Sequence, residues 1–392
     1  DRGHARRLVL GGLALNVVGL VSMAIGTTLP VLLLGRFISG IGIGMAFPAI
    51  RRIVIVADPE NLGQNVGLLL AADVAGFAAG PALSALMVPT LGIPAPFLTI
   101  AALTVLCTPI VLGVRIDEQP ASDAPSQRFA FDLLRHRGVV AALVIGAAVF
   151  LMIGTFDALW AIVLDDLRAS EVVANLGITI FVLPLIFLGP LGGRLAQRVG
   201  PFRLGPLGLV FGAVFMFLYG QMPTGAAMLV VGTTHAVFDG LTVASAGVAM
   251  GVSAPRERMA AAQGMLGAAE TLTGGLTAVL AGVLYSVGGR VLAYTVCAVV
   301  MVVMAIAAYV IAGPDLRNRR SAEVVVVDDV QAPAVTGHAY PQRSRRHRPG
   351  RGVRHRYGTG GSGSSRVSQR TWSGSSRQMS GCSGARRSIT CG

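Results

Sequence analysis

The sequence of 392 residues contains no lysine, four cysteines and few charges: Asp, Glu, Lys and Arg together make up 13%. A soluble globule needs roughly 25% charged residues to dress its surface. With mean hydropathy +0.68 and 53% hydrophobic residues, this chain fits bilayer hydrocarbon as its solvent. Missing lysine matches the codon bias of a GC-rich genome and carries no mechanistic message. The cysteines, Cys107 and Cys297 inside apolar runs and Cys382 and Cys391 near the end, show neither metal-ligand spacing nor a disulfide framework. No Ser/His/Asp set, phosphate loop or metal cluster stands out, so neither an enzyme nor any cofactor or metal is implied. The run Gly40-Ile41-Gly42-Ile43-Gly44 lies inside an apolar stretch and reads as packing, not nucleotide binding. No signal-peptide pattern is visible in the opening residues, Asp1-Arg2-Gly3-His4-Ala5-Arg6-Arg7.

The net charge of +13 invites a nucleic-acid reading, but its distribution opposes one. Fifteen of the 32 arginines lie beyond residue 313, accompanied by four acids. That segment, 314–392, is rich in Gly, Ser and Arg and lacks amphipathic pattern and interleaved aromatics, so it reads as a disordered tail. A polybasic patch on anionic lipid is the functional alternative.

Spanning helices need roughly 20 apolar residues. Ten segments qualify, near 8–28, 30–56, 62–89, 94–114, 138–164, 171–191, 203–221, 224–252, 257–287 and 290–312. Their connections alternate. One set bears arginine: Asp1 to Arg7, Arg51-Arg52 to Glu60, Arg115 to Arg137, Arg194 to Arg203, Arg256 to Arg258, and the tail. The other set is nearly bare or acidic, as at Asp165-Asp166. The positive-inside rule makes the arginine-bearing set cytoplasmic, with both termini, in a cell (inner or plasma) membrane. Residues 115–137 form a linker between a half of four helices (1–114) and a half of six (138–313).

The halves resemble each other at an offset of 196 or 197. Arg2 aligns with Arg198, Gly35 with Gly232, Pro59 with Pro255, Gly67 with Gly264, and Ala71-Ala72-Asp73 with Ala268-Ala269-Glu270. Two helices precede Gly193 in the second half and none precedes Asp1 in the first. The repeat therefore predicts two helices, roughly 60 residues, upstream of Asp1, completing a six-plus-six bundle.

These residues resemble the major facilitator superfamily. Asp1-Arg2 and Arg6-Arg7 look like the second half of the family's Gly-x-x-x-Asp-Arg-x-Gly-x-Arg-Arg loop, with His4 at the usual glycine; Gly193 to Arg203 resembles the same loop, with Gln197 replacing its acid. Leu32 to Gly42, carrying Arg36, resembles the helix-4 motif, and Gly76-Phe77-Ala78-Ala79-Gly80-Pro81 the helix-5 motif of proton-coupled antiporters. The resemblance covers about 1–313. It implies an all-α bundle with ten of twelve helices present and proton-driven efflux of small amphipathic compounds or drugs. A nutrient symporter and a non-transporting membrane fragment are the alternatives. The implied partners are the lipid bilayer, a small-molecule substrate and protons, with a monomer as the acting unit and no nucleic acid.

Ionisable groups in hydrocarbon cost roughly 2.5–3.5 kcal/mol on insertion scales and usually face a cavity or a partner. The candidates are Arg36, Asp73, Asp157, His235, Asp239 and Glu270. Asp73 and Glu270 are mid-helix mates in the repeat, where a proton and a cationic substrate can compete for a carboxylate; the plain reading is a buried acid bonded to a neighbouring helix. His235 and Asp239, four apart, share a helix face as a proton relay or as a packing pair. Arg36 either takes part in proton coupling, as the resemblance implies, or binds carbonyls at a bend. Asp157 lies late in its helix and either takes part in proton coupling or substrate binding or only marks the periplasmic mouth. Gly76, Gly80 and Pro81 form a close-packing and bending device. Asp1, Arg2, Arg6 and Arg7 form a gate latch, or serve orientation alone. The aromatic residues read as core and lipid-facing filler, with no cage.

Overall fold

The computed structural model describes residues 4–113 and 130–318. Among them every regular element is a helix. The first group is α1 (Ala5–Ile25), α2 (Leu29–Ala57), α3 (Leu62–Leu91) and α4 (Pro94–Gly113). A 3-10 turn, Ala130–Arg135, leads into α5 (Arg137–Asp166), α6 (Glu171–Val199), α7 (Pro201–Gln221), α8 (Gly225–Thr242), α9 (Ser245–Ser253) and α10 (Met259–Asn318). Most of the expected linker and tail, residues 114–129 and 319–392, lie outside the described residues, as do Asp1 and Arg2.

Nine apolar helical stretches of the described residues are long enough to cross a bilayer. The last is two spans in one trace, because Gly288 and Gly289 leave helical geometry. Gly289 has φ +68°, which a side chain would resist, and the break falls where the sequence predicted a bare connection. The ten expected segments are thus all helical, with three differences at their ends. α2 runs on through Arg51-Arg52 to Ala57, so that pair lies inside a helix and not in a connection. α6 continues through Arg194 and Arg198 to Val199 and stops where Gly200, at φ +104°, turns the chain into α7. The segment near 224–252 divides at Val243-Ala244 into α8 and α9.

The helices differ in what they bury. α5 hides a face made of Ala142, Ile145, Val149, Met152, Phe156, Leu159 and Val163, spaced three or four apart, against α10 and α7. α1 pairs with α2 through small residues: a Cβ on Gly12 or Gly19 would collide with the carbonyl of Gly42 or Gly35. Ser39 donates to Asn16 Oδ1 at 2.5 Å across that contact. Large apolar side chains left outside, such as Leu33, Phe37, Leu106, Ile110 and Phe187, would be a liability in water and suit lipid.

Candidate functional site

α3 and α6 run antiparallel, with their backbones in closest contact at one end. At the arginine-bearing end a Cβ on Gly63 or Gly67 would strike the backbone of Gly193 or Gly189. Polar contacts flank this seam. Gln197 Oε1 accepts from the Gly63 N–H at 2.7 Å, Gln197 Nε2 donates to the Glu60 carbonyl at 2.8 Å, and Arg194 Nη2 donates to Gln64 Oε1 at 2.7 Å. Further along, the helices part around a cavity of about 410 Å³, walled by Leu69, Asp73 and Phe77 of α3 and by Phe181 and Leu185 of α6. Towards the far end of α3, a Cβ on Gly76 or Gly80 would meet nothing within 4 Å, and Pro81 is exposed. The close approach expected at this motif is therefore absent among the described residues, and the backbone contact lies instead three to four turns away at Gly63 and Gly67.

The cavity gathers charge. Asp73 (α3), Asp157 (α5), His235 and Asp239 (α8) and Glu270 (α10) all border it. Asp73 and Asp157 are exposed to the opening, whereas His235, Asp239 and Glu270 are buried. Arg51 of α2 joins them. Its Nη1 stands 3.5 Å from Glu270 Oε2, and its guanidinium carbon lies 5.1 Å from the centre of the Phe47 ring. The pair ties α2 to α10. Arg36, in contrast, is exposed and does not border the cavity. Arg6 and Arg7 are exposed near the start of α1, and Arg6 donates to the Leu112 carbonyl of α4.

The spacing of His235 and Asp239 does bring the two together: Nε2 is 3.4 Å from Asp239 Oδ2, though it forms no well-directed hydrogen bond. The other ring nitrogen, Nδ1, shares a hydrogen bond of 2.9 Å with Tyr219 Oη, which fixes the ring. Aromatic rings surround this group. Phe156 stacks on Phe181 at 4.6 Å and leans on Trp160 at 4.6 Å, while Phe215 stacks on His235 at 4.8 Å. Phe156 and Phe181 border the cavity directly. Two aromatics expected as filler thus form part of its wall, from helices α5 and α6, with Trp160, Phe215 and Tyr219 packed behind.

The sequence model of the Major Facilitator Superfamily matches residues 1–165 and 142–351, together most of the chain. The chain belongs to this superfamily. A member of the family is a multi-pass membrane transporter, which is the setting for every feature described above. Solved structures share the fold, two of them as follows. The human organic anion transporter MFSD10 (TETRAN) is 17% identical with a TM-score of 0.65, covering 78% of this chain and 77% of its own. The E. coli fucose:proton symporter FucP is 16% identical with a TM-score of 0.64, covering 79% and 84%. No curated protein sequence matches the chain.

Within this facilitator cavity, sequence reasoning missed Arg51, Gln263 and the aromatic wall. A signal existed for Arg51: five apolar residues, Ile53 to Ala57, follow Arg51-Arg52 before the first turn-forming residue, Asp58, so the helix had room to continue. Phe156/Trp160 and Phe215/Tyr219 are each four apart, a same-face spacing that marks a ring ladder.

Proposed function

We propose that this chain is a proton-coupled exporter of small amphipathic compounds, with Asp73 and Glu270 as the carboxylates at which proton and substrate compete. The observation that carries the reading is the bridge made by Arg51. Its guanidinium ties α2 to α10 through Glu270 and borders the same cavity as Asp73, the repeat mate of Glu270. Protonating Glu270 discharges that tie and leaves Arg51 free to turn to Asp73, so proton arrival and helix separation are linked through one side chain. His235 and Asp239, held by Tyr219, provide a second proton-carrying group on the opposite wall. Arg36 stands away from this cavity, and its part in the scheme is support of α2. The four helices α1 to α4 act as one half and α5 to α10 as the other. Gly76, Gly80 and Pro81 are the face that meets a partner helix when the opening shuts, and Arg6 and Arg7, with Asp1 and Arg2, hold the arginine-bearing end.

By the positive-inside rule that end is cytoplasmic, in the cell membrane, and the protein acts as a monomer. The two structural relatives carry different cargoes, an organic anion and a sugar, so cargo must be argued from the cavity itself. The test is flux in liposomes containing the purified protein. An imposed proton gradient is expected to drive counterflow of an amphipathic dye, and Asp73→Asn or Glu270→Gln is expected to abolish it with normal protein yield. Unchanged flux in both variants removes the carboxylate mechanism.

A further inference from the structure

The six residues Ala130–Arg135 wind as a 3-10 turn just ahead of α5. Side chains three apart eclipse one another in such a turn, so it presents three faces. Ala130 and Leu133 make the first: Leu133 is buried and Ala130 packs against the core. Asp132 and Arg135 make the second. Asp132 Oδ1 accepts from Arg258 Nη2 at 3.0 Å, which ties the segment to the turn before α10. Phe131 and Leu134 make the third, and they are 73% and 45% exposed. Two anchors thus hold the segment in place with an apolar ridge turned outward.

Water is a poor solvent for that ridge, and its position supplies a better one. The 3-10 turn stops at Arg135 and the spanning helix α5 starts at Arg137. The ridge therefore stands at the arginine-bearing rim, the level where hydrocarbon gives way to headgroups. Charge around it is mainly positive. Arg135 and Arg137 are exposed, and α5 has no acidic residue in its first turn. At the end of α10 helical geometry breaks at Gly313, with φ +70°. The chain beyond it sets Leu316 where a Cβ on Gly138 of α5 would touch it, and lays Arg317 over the Tyr309 ring at 3.9 Å. Tyrosine and arginine with apolar stems and polar tips are residues of the membrane–water interface. Asp315 is the exposed acid on this side, and Asp132 is engaged with Arg258.

We propose that the 3-10 turn is a lipid-docking element. Phe131 and Leu134 enter the boundary between headgroups and acyl chains, and Arg135, Arg137 and Arg317 pair with the phosphates of anionic phospholipid. Interfacial elements bind by buried apolar area together with attraction to anionic lipid, and this one carries both. Two apolar side chains fall far short of the roughly 800 Å² per partner that a stable protein interface uses. The inference is independent of the coupling scheme and holds whatever cargo the cavity takes.

The experiment has two arms, both on the purified full chain. Native mass spectrometry reads the affinity of the first bound lipid. Phosphatidylglycerol is expected to bind at least about fivefold more tightly than phosphatidylcholine, the factor that a single arginine near an anionic headgroup contributes. Arg135→Gln with Arg137→Gln is expected to bring the two lipids within about twofold, and Arg135→Lys with Arg137→Lys to keep the preference. Arg290→Gln, at the opposite end of the spans, is expected to leave it unchanged. The second arm attaches an NBD fluorophore at Leu134→Cys, in a background free of the four native cysteines. In vesicles of equal parts brominated phosphatidylcholine and phosphatidylglycerol, the brominated chains are expected to quench the fluorophore and aqueous iodide to leave it bright. Equal affinity for the two lipids overturns the inference, as does a preference for phosphatidylglycerol that survives the double glutamine variant. Quenching by iodide and not by the brominated chains places the ridge in water, open to a soluble partner, and overturns it too.

Discussion

The seam between α3 and α6 makes a quantitative prediction about alternating access. In this structure Gly67 lies against the backbone of Gly189 and Pro190, so the single Cβ of Gly67→Ala meets atoms that no rotamer change can move aside. Overpacking of this kind costs about 1–3 kcal/mol. Alanine also raises helix propensity by about 1 kcal/mol over glycine, but it does so whether the seam is closed or open, so that gain cancels. The steric cost falls only on the closed seam. The equilibrium should therefore move towards opening at the arginine-bearing end by about 5- to 150-fold, the factor that 1–3 kcal/mol represents.

The fold supplies its own control. Gly76 and Gly80 lie on the same helix, and a Cβ on either meets nothing within 4 Å. Gly76→Ala has the same propensity gain and no collision. Spin labels at Glu60→Cys and Arg198→Cys, both exposed and on opposite sides of the seam, report the separation in a background free of the four native cysteines. Gly67→Ala should populate a longer distance, and Gly76→Ala should leave the short one dominant. Matching distance distributions for the two variants, with both proteins monodisperse, would refute the claim that backbone contact at Gly67 closes this end.

Two further predictions concern stability. Tyr219→Phe removes the 2.9 Å hydrogen bond to His235 and strands a buried ring nitrogen, at a cost of about 1–3 kcal/mol. Thermal unfolding of Tyr219→Phe alone and on a His235→Leu background checks this, since the loss should largely vanish once the histidine is gone; an equal loss in both would show that Tyr219 acts by packing alone. Asp58, in the turn between α2 and α3, accepts from the Asn61 side chain and backbone and from Asn65, and the Asn61 contact holds its carboxyl below the usual carboxylate range. A lowered value means the contribution is present above the ordinary carboxylate pKa and disappears as pH falls through the depressed one. The difference in Tm between the wild-type chain and Asp58→Ala should accordingly be largest near neutral pH and close up in strong acid; a difference that grows on acidification contradicts the assignment.

How far the sequence could be read depended on the size of the free-energy signal at each residue. Burying a charge in hydrocarbon costs enough to make every intramembrane acid conspicuous, and Asp73, Asp157, Asp239 and Glu270 were visible for that reason. Helix placement was equally legible, since apolar runs of spanning length leave few other solutions. Gln263 stayed hidden because a neutral amide in an Ala-rich run is a modest expense until its missing partner is seen in three dimensions. Arg51 was hidden by a rule that is correct on average: arginine pairs mark cytoplasmic connections, and here helix geometry carries one member of the pair into the cavity. The glycines fared worst. A small residue announces that something can come close, but which helix comes, and at which end, depends on how the bundle is splayed. Gly67 has its neighbour, while Gly76 and Gly80 face open space.

The repeat gives these observations a common root. Asp73 and Glu270 occupy equivalent positions in a duplicated sequence, and symmetry alone would give them identical surroundings. The arginine breaks that equivalence: at the offset that joins the two acids, Arg51 corresponds to Val248 of α9, and no second guanidinium borders the cavity among the described residues. Glu270 is drawn into a buried pair, whereas Asp73 is left open to the cavity. Two carboxylates of one origin thereby receive different tasks by environment, a division enzymes also use to run acid and base chemistry from like groups. In the proposed cycle the paired acid governs the tie between α2 and α10 and the open acid meets the cargo. The scheme also fixes which acid should tolerate which change. Exchanging the two, Asp73→Glu with Glu270→Asp, conserves charge but shortens the carboxylate that must reach Arg51, so proton coupling in the liposome assay should weaken more than cargo binding does. Equal losses of both would mean that the asymmetry built around Arg51 has no part in transport.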